Sequence, residues 1–234
     1  YPREFTGLID EVSLFDAQLS ATEVQELFAD GVALDATTHS KVANLVGYWR
    51  NDGISSWTDR STNSNHGTPQ NSPESIIVRE GLNSNKDGLG FPFKNDDRDV
   101  LRLDGVKDFV KIGYPAMSDQ ITSGIYTFDF WVKHDRDNSG VTETYICLRD
   151  NGTPGNRFKI QKLSIVDNAS YPIITFTVEG GATITYNSSH IDSLDEGDWF
   201  YIAFVSNGVS SRQFYYAKSG ATSLTAVTAN TTTY

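Results

Sequence analysis

Short apolar segments, separated by clusters of Asn, Gly, Asp and Ser, run through most of the chain and constrain its fold more than any other feature. In residues 126–133 the side chains alternate between two faces, which is the period of a strand. One face carries Tyr126, Phe128, Phe130 and Val132, and the other carries Thr127, Asp129, Trp131 and Lys133. Residues 199–205 are apolar on both faces, so we expect that strand at the centre of a sheet. Candidate strands of this kind lie at residues 45–49, 100–103, 109–112, 126–133, 145–148, 157–163, 173–178, 183–186 and 199–205. This pattern favours an all-β sandwich.

One short helix is predicted near the start of the chain. Ser20 is a good N-cap and Glu23 follows three residues later, so the two side chains can satisfy each other's backbone N–H groups. Val24, Leu27 and Phe28 fall on one face at helical spacing. The helix is therefore expected to pack against a sheet. Residues 29–43 are small and polar, which indicates either a linker or a crossover.

Composition excludes several classes of function. The 234 residues carry a net charge of −11, which disfavours nucleic acid as a partner because phosphate backbones are repelled. The sequence has no apolar stretch long enough for a transmembrane helix, so no membrane association is expected. The single cysteine, Cys147, excludes an intramolecular disulfide.

Five segments resemble landmarks of laminin-G-like, concanavalin-A-like domains. They are residues 5–12, 45–49, 59–67, 103–110 and 197–204. In the family they correspond in order to the last, first, second, third and fourth landmark. The sequence of residues 45–65 is similar to such domains in virion proteins of marine tailed bacteriophages. The resemblance implies an all-β, two-sheet antiparallel jelly-roll sandwich with one short helix.

The order of these landmarks leads to a prediction about domains. Residues 1–31 resemble the closing strand and helix of a laminin-G-like domain, either of a preceding copy or permuted onto the same sandwich. Residues 32–43 are predicted to be a linker, and residues 44–234 a jelly-roll domain that lacks its closing element. We expect a segment of a longer, repeat-bearing protein. The pairing of the first strand decides whether it joins the sandwich that begins at residue 45.

Calcium is the cofactor that the loop composition favours. Ca²⁺ takes six to eight oxygen ligands from carboxylates, carbonyls and amides. The candidate ligands are Asp52, Asp59, Asn63 and Asn65, and the resemblance adds Asp10 by placing the closing strand beside the opening one. The competing interpretation is that these Asp and Asn side chains form local turns, which their turn preferences favour.

Aromatic residues near turns are the candidates for glycan binding, because sugars stack on aromatic faces. Trp57, Tyr114 and Tyr171 meet this criterion, although Trp57 also fits a buried position. No catalytic pattern is found: Glu196 and Asp198 lack the third acid of the glucanase motif, and the histidines have no nucleophile pattern beside them. We therefore predict that the chain is not an enzyme.

These observations predict a structural or adhesive module of a virion surface or tail fibre, located on the virion or outside the cell. Its expected partners are cell-surface glycans or other virion proteins, and it is expected to be a homo-oligomer. The alternative is a carbohydrate-binding or adhesin module of a secreted bacterial protein.

Overall fold

The computed structural model describes residues 3–31, 33–51, 56–78, 98–112, 125–134, 143–149, 156–163, 173–178, 182–186, 199–208, 212–228 and 230–231. The strands of this part are β1 (Arg3–Glu4), β2 (Thr6–Phe15), β3 (Leu45–Trp49), β4 (Gly67–Gln70), β5 (Glu74–Val78), β6 (Arg98–Asp104), β7 (Phe109–Ile112), β8 (Ile125–His134), β9 (Glu143–Arg149), β10 (Asn156–Leu163), β11 (Ile173–Val178), β12 (Ala182–Tyr186), β13 (Trp199–Asn207), β14 (Arg212–Lys218), β15 (Thr225–Thr228) and β16 (Asn230–Thr231). The α-helix is α1 (Ala21–Phe28), and 3-10 turns lie at Ala29–Gly31, Ala36–Thr38 and Val42–Asn44.

Strand β2 lies inside the larger sheet, whose order is β15-β14-β13-β8-β2-β6-β5. One edge of β2 pairs with β8, and its other edge is shared by two strands. The first half, from Thr6 to Ile9, pairs with β6, and the second half, from Val12 to Phe15, pairs with β3. Between the halves the register against β8 shifts, and Glu11 adopts a left-handed conformation with φ of 51°. Residues 6–15 therefore belong to the same sheet as Leu45–Trp49.

The second sheet has the order β1-β9-β10-β11-β12-β16, and β4 and β7 form a separate two-stranded pair. Pairing in all three sheets is antiparallel except between β1 and β9, which run parallel. The aromatic core between the sheets contains Trp49, Phe128, Phe130 and Phe204 from the larger sheet and Tyr145 from β9. Two antiparallel sheets thus enclose one continuous core.

A second core covers the opposite face of the larger sheet. Phe28 of α1 stacks on Trp131 at a ring-centroid distance of 5.8 Å and contacts the ring of Tyr201 at 5.5 Å. Apolar side chains of α1 and of residues 33–45 fill the rest of this layer. The larger sheet is therefore buried on both faces, which explains why β13 is apolar on both of its sides.

The helix begins as its sequence predicts. Ser20 Oγ accepts a hydrogen bond from Glu23 N at 3.3 Å, and Glu23 Oε2 accepts one from Ser20 N at 2.7 Å. The residues after the helix form a packed crossover, since Ala36 and His39 are buried there. Ser40 ties this crossover to α1 through hydrogen bonds from its N and Oγ to the Glu26 carboxylate, at 2.8 and 2.6 Å.

The predicted fold class is confirmed: the described part is mostly β, with two antiparallel sheets and one α-helix. Each of the nine candidate strands coincides with an observed strand, whereas β4, β5, β14, β15 and the two-residue strands β1 and β16 were not predicted. The jelly-roll connectivity and the division into residues 1–31, 32–43 and 44–234 stay predictions. The described residues of the segment 29–43 connect α1 to β3, and Ala36 and His39 among them are buried.

Candidate functional site

Asp59 is the centre of the loop that was predicted to bind calcium. Its carboxylate is nearly buried, at 4% relative exposure, and accepts hydrogen bonds at both oxygens. Oδ1 accepts from Tyr48 N at 2.9 Å and from Ser61 N at 2.8 Å. Oδ2 accepts from Asn65 N at 2.7 Å and from Ser61 Oγ at 2.8 Å. Because a carboxylate has about four lone-pair sites, three backbone N–H groups and the Ser61 hydroxyl saturate Asp59.

Asn63 and Asn65 attach the same loop to β3. Asn63 Nδ2 donates to the carbonyl oxygens of Leu45 and Val46, both at 3.0 Å, and Asn65 Nδ2 donates to Val46 O at 3.0 Å. In return, Trp49 Nε1 donates to the carbonyl oxygen of Asn65 at 2.8 Å. These side chains therefore attach the loop to the backbone of β3.

Asp10 lies on β2, where the edge of this strand passes from β6 to β3. Its Oδ1 accepts a hydrogen bond from Asn51 N at 3.1 Å, and Asn51 Nδ2 donates to Ser75 Oγ at 3.0 Å. Asp10 thus supplies an acceptor where the β2–β3 ladder ends. Asp52 lies outside the described residues.

The donor set of this loop does not fit calcium as it is arranged, because the Asp59 oxygens already serve four N–H and O–H donors. Within the described part of the chain, no group of three or more His, Cys, Asp or Glu side chains is placed to hold a metal ion. Calcium binding stays a prediction, and it would require a rearrangement at Asp59.

Trp57 lies in the inter-sheet core rather than on the surface. Its relative exposure is 4%, and its ring stacks on Trp49 with centroids 6.2 Å apart and an interplanar angle of 21°. Its Nε1 is buried without a hydrogen-bond partner. Both ring faces that a sugar would need are covered, so this position fits the buried interpretation. Tyr114 and Tyr171 lie outside the described residues, as do Glu196 and Asp198.

A polar cluster that the sequence did not reveal lies beneath α1. Asp129 accepts hydrogen bonds from Ser13 Oγ and, at 3.2 Å, from the Tyr201 hydroxyl. Burial raises the pKa of Asp129 to about 8, against the lowering effect of these bonds, and the nearby Glu11 carboxylate raises the pKa further. Glu11 accepts a hydrogen bond from the Tyr48 hydroxyl. Burial of Tyr48, together with the negative charge of Glu11, raises the pKa of Tyr48 far above its ordinary value.

A second cluster joins the two sheets at the end of β8. The Tyr145 hydroxyl lies 2.8 Å from His134 Nε2, and His134 Nδ1 lies 3.6 Å from Glu143 Oε2. The hydroxyl and the imidazole thus lie within hydrogen-bond distance, whereas the carboxylate lies beside the imidazole but beyond that distance. All three residues are buried, with Phe5 packed edge-on against His134. Burial and the Glu143 charge hold the pKa of Tyr145 well above its ordinary value.

The Leu-Asp-Gly segment between β6 and β7 forms a turn organised by one carboxylate oxygen. Asp104 Oδ1 accepts from the backbone N of Val106, Lys107 and Asp108 at 2.8, 3.2 and 3.3 Å. These bonds lower the pKa of Asp104. Asp108 is buried beside it, and its pKa is raised by burial and by the Asp104 charge.

Comparisons with protein family models, with curated proteins and with solved structures find no match to this chain. Among the described residues, no helix has the length and apolar character needed to cross a bilayer. In the part of the chain that the structure describes, the fold is that of a mostly β protein with two antiparallel sheets, whose larger sheet is covered on its outer face by one α-helix.

Proposed function

We propose that this chain is a non-enzymatic structural and adhesive module of a virion surface or tail fibre, which contacts cell-surface glycans through its loops. The observation that carries the proposal is the way in which four of the five laminin-G-like segments come together. Residues 5–12, 45–49 and 103–110 contribute to β2, β3 and β6–β7, and β2 pairs with both β3 and β6. Residues 197–204 contribute to β13, one strand away across β8. Segments far apart in the sequence thus meet around one strand.

The chemistry of the described loops supports a scaffold. Asp59, Asn65 and Asp104 direct their side chains to backbone groups of their own loops or of β3. Such bonds hold loop backbones in fixed conformations, and rigid loops lose less entropy when they bind a ligand. The proposed partners are cell-surface glycans or other virion proteins, in a homo-oligomer outside the cell.

The proposal is tested by binding the purified chain to a glycan array, with calcium and with a chelator. Tyr114→Ala and Tyr171→Ala should each weaken a positive signal at least tenfold, whereas Phe109→Ala is the matched control, because Phe109 is an exposed aromatic outside the proposed ligand set. Binding by a monomer would favour a carbohydrate-binding module of a secreted protein. Hydrolysis of any array glycan would overturn the non-enzymatic assignment.

Absence of binding would remove the adhesive part of the proposal. Sedimentation and electron microscopy then test the structural part, which requires a symmetric homo-oligomer. A monomer without glycan affinity would overturn both parts.

A further inference from the structure

The outer face of β8 carries the attachment points of the helical layer, which we call the helical cover (residues 16–31 and 33–44). Thr127 Oγ1 accepts from Leu19 N at 3.0 Å and donates to Ala17 O at 2.8 Å, so it holds the chain just before α1. Trp131, four residues further along the same face, stacks on Phe28 at the end of α1. Asp129 lies between these two attachment points. An ionisable group thus lies under the centre of the cover.

The groups that face Asp129 come from three strands of the sheet. Ser13 and Glu11 lie on β2, Tyr201 lies on β13, and Tyr48 on β3 holds Glu11. The charged group that acts on Asp129 is the second carboxylate, Glu11, and its effect opposes ionisation.

Other ionisable groups lie in and around this layer. His39 is buried in the cover itself, with its Nε2 3.0 Å from Glu23 O and 3.4 Å from Glu26 Oε2 on α1. Lys133 is buried two strand positions beyond Trp131 on the same face and has interactions of its own. Asp10 and Asp35 add negative potential at Tyr48. From α1, the side chains that enter the layer are Val24, Leu27 and Phe28, which are apolar and offer no hydrogen bond to a carboxylate.

We propose that the helical cover is an acid-locked lid: a protonated Asp129 holds it closed over the larger sheet, and loss of that proton favours local opening. In the closed layer, an ionised Asp129 would be a buried charge beside Glu11, and such a charge is unfavourable until water reaches it. Lifting Phe28 away from Tyr201 and Trp131 would admit water on the side of the sheet that holds Asp129, whereas the inter-sheet core occupies the other face. This lid is independent of the proposed function.

The direction of the pH effect follows from linkage. Asp129 has a pKa of about 8 in the closed state, whereas the pKa of an open, hydrated Asp129 returns toward its ordinary value of 3.8. The closed state therefore binds more protons than the open state between these two values, so raising the pH favours opening throughout this interval. The opening constant should rise by up to about tenfold per pH unit in that interval and level off above it.

Hydrogen exchange of backbone amides in the intact chain tests the lid. At pH 8, amides of α1 should exchange at least about a hundredfold faster in the wild type than in Asp129→Asn, and at pH 5 this difference should be at least about tenfold smaller. The comparison is made at one pH at a time, so the intrinsic pH dependence of exchange cancels. Asp104→Asn is the matched control, because this acid is exposed and lies outside the cluster; it should behave as the wild type.

Amides of β10 serve as an internal reference, because this strand lies in the other sheet. In the wild type alone, the ratio of α1 exchange to β10 exchange should rise from pH 5 to pH 8, so the test stands even where Asp129→Asn does not fold. A constant ratio would overturn the lid. Equal acceleration of α1 and β10 would also overturn it, since the domain would then open as one unit.

Discussion

Replacing Asp59 by asparagine tests whether its carboxylate is an acceptor for the loop. The amide oxygen of the new side chain can keep the hydrogen bonds from Tyr48 N and Ser61 N, but an NH₂ group then faces Asn65 N, which loses its 2.7 Å acceptor. Ser61 Oγ can still donate to Val46 O at 3.1 Å. The net change is one lost hydrogen bond to a charged group and one unsatisfied buried N–H. Such a change costs about 3 kcal/mol.

The Asp104→Asn substitution is the matched control for this magnitude. All three backbone donors at Asp104 bind the same oxygen, Oδ1, so an amide can replace the carboxylate without losing an acceptor. We expect the free energy of unfolding to fall by less than about 1 kcal/mol there, since only the charge assistance is lost. The same chemical change therefore gives different results at the two turns, because the two carboxylates use their oxygens differently.

Urea unfolding followed by tryptophan fluorescence measures both variants. A loss at Asp59→Asn no larger than that at Asp104→Asn would refute the argument that both oxygens of Asp59 are needed. The titration is repeated with calcium and with a chelator. A wild-type midpoint that rises with calcium, together with an Asp59→Asn midpoint that does not, would show that Asp59 is a calcium ligand and would refute the saturated-acceptor assignment.

Two further substitutions probe the packing of β3 and the attachment of the cover. Gly47→Ala should lower the free energy of unfolding in urea by at least about 3 kcal/mol, because the new Cβ would lie 2.2 Å from the Trp49 ring. The control is Gly220→Ala, where the Cβ meets open space and only the φ of +84° is unfavourable, so the expected loss is about 1 kcal/mol. Equal losses at the two positions would contradict the close approach of Gly47 to Trp49. Thr127→Val removes both hydrogen bonds to the helical cover and should lower the free energy of unfolding by about 2 kcal/mol in the same assay. The control is Thr68→Val at an exposed position of β4, where the expected loss is less than about 0.5 kcal/mol. A Thr127→Val variant as stable as the wild type would show that the cover does not depend on this side chain.

The sequence predicted the elements better than their arrangement. Strand periodicity located β8, and the Ser20–Glu23 capping box located the start of α1, because both signals are local. The division of one β2 edge between β6 and β3 could not be predicted, since it depends on a register shift and a left-handed Glu11. No propensity rule assigns that conformation to glutamate.

The loop around Asp59 shows the same limit, because its residues can be read from the sequence but their contacts cannot. Asp59, Asn63 and Asn65 lie in one loop, because they are neighbours in the chain. The sequence could not tell a ligand from a turn former, since the distinction lies in which donors surround each oxygen. Those donors include Tyr48 N and the Asn65 N–H itself, and their positions depend on the pairing of β3.

The burial of one face of β8 could be inferred only by combining two local predictions, the two apolar faces of β13 and the apolar stripe of α1. This face holds Thr127, Asp129 and Lys133. Alternation alone assigns these polar residues to solvent, yet all three are buried. Strand β13 is apolar on both faces and pairs with β8, placing Tyr201 beside Trp131, so the neighbouring face of β8 has to be covered as well. The apolar stripe of α1 requires a surface to bury it, and this face is the one that the inter-sheet core leaves open. The resulting burial of Asp129 is thus a consequence of the sheet order, which becomes visible only when the neighbour of each strand is known.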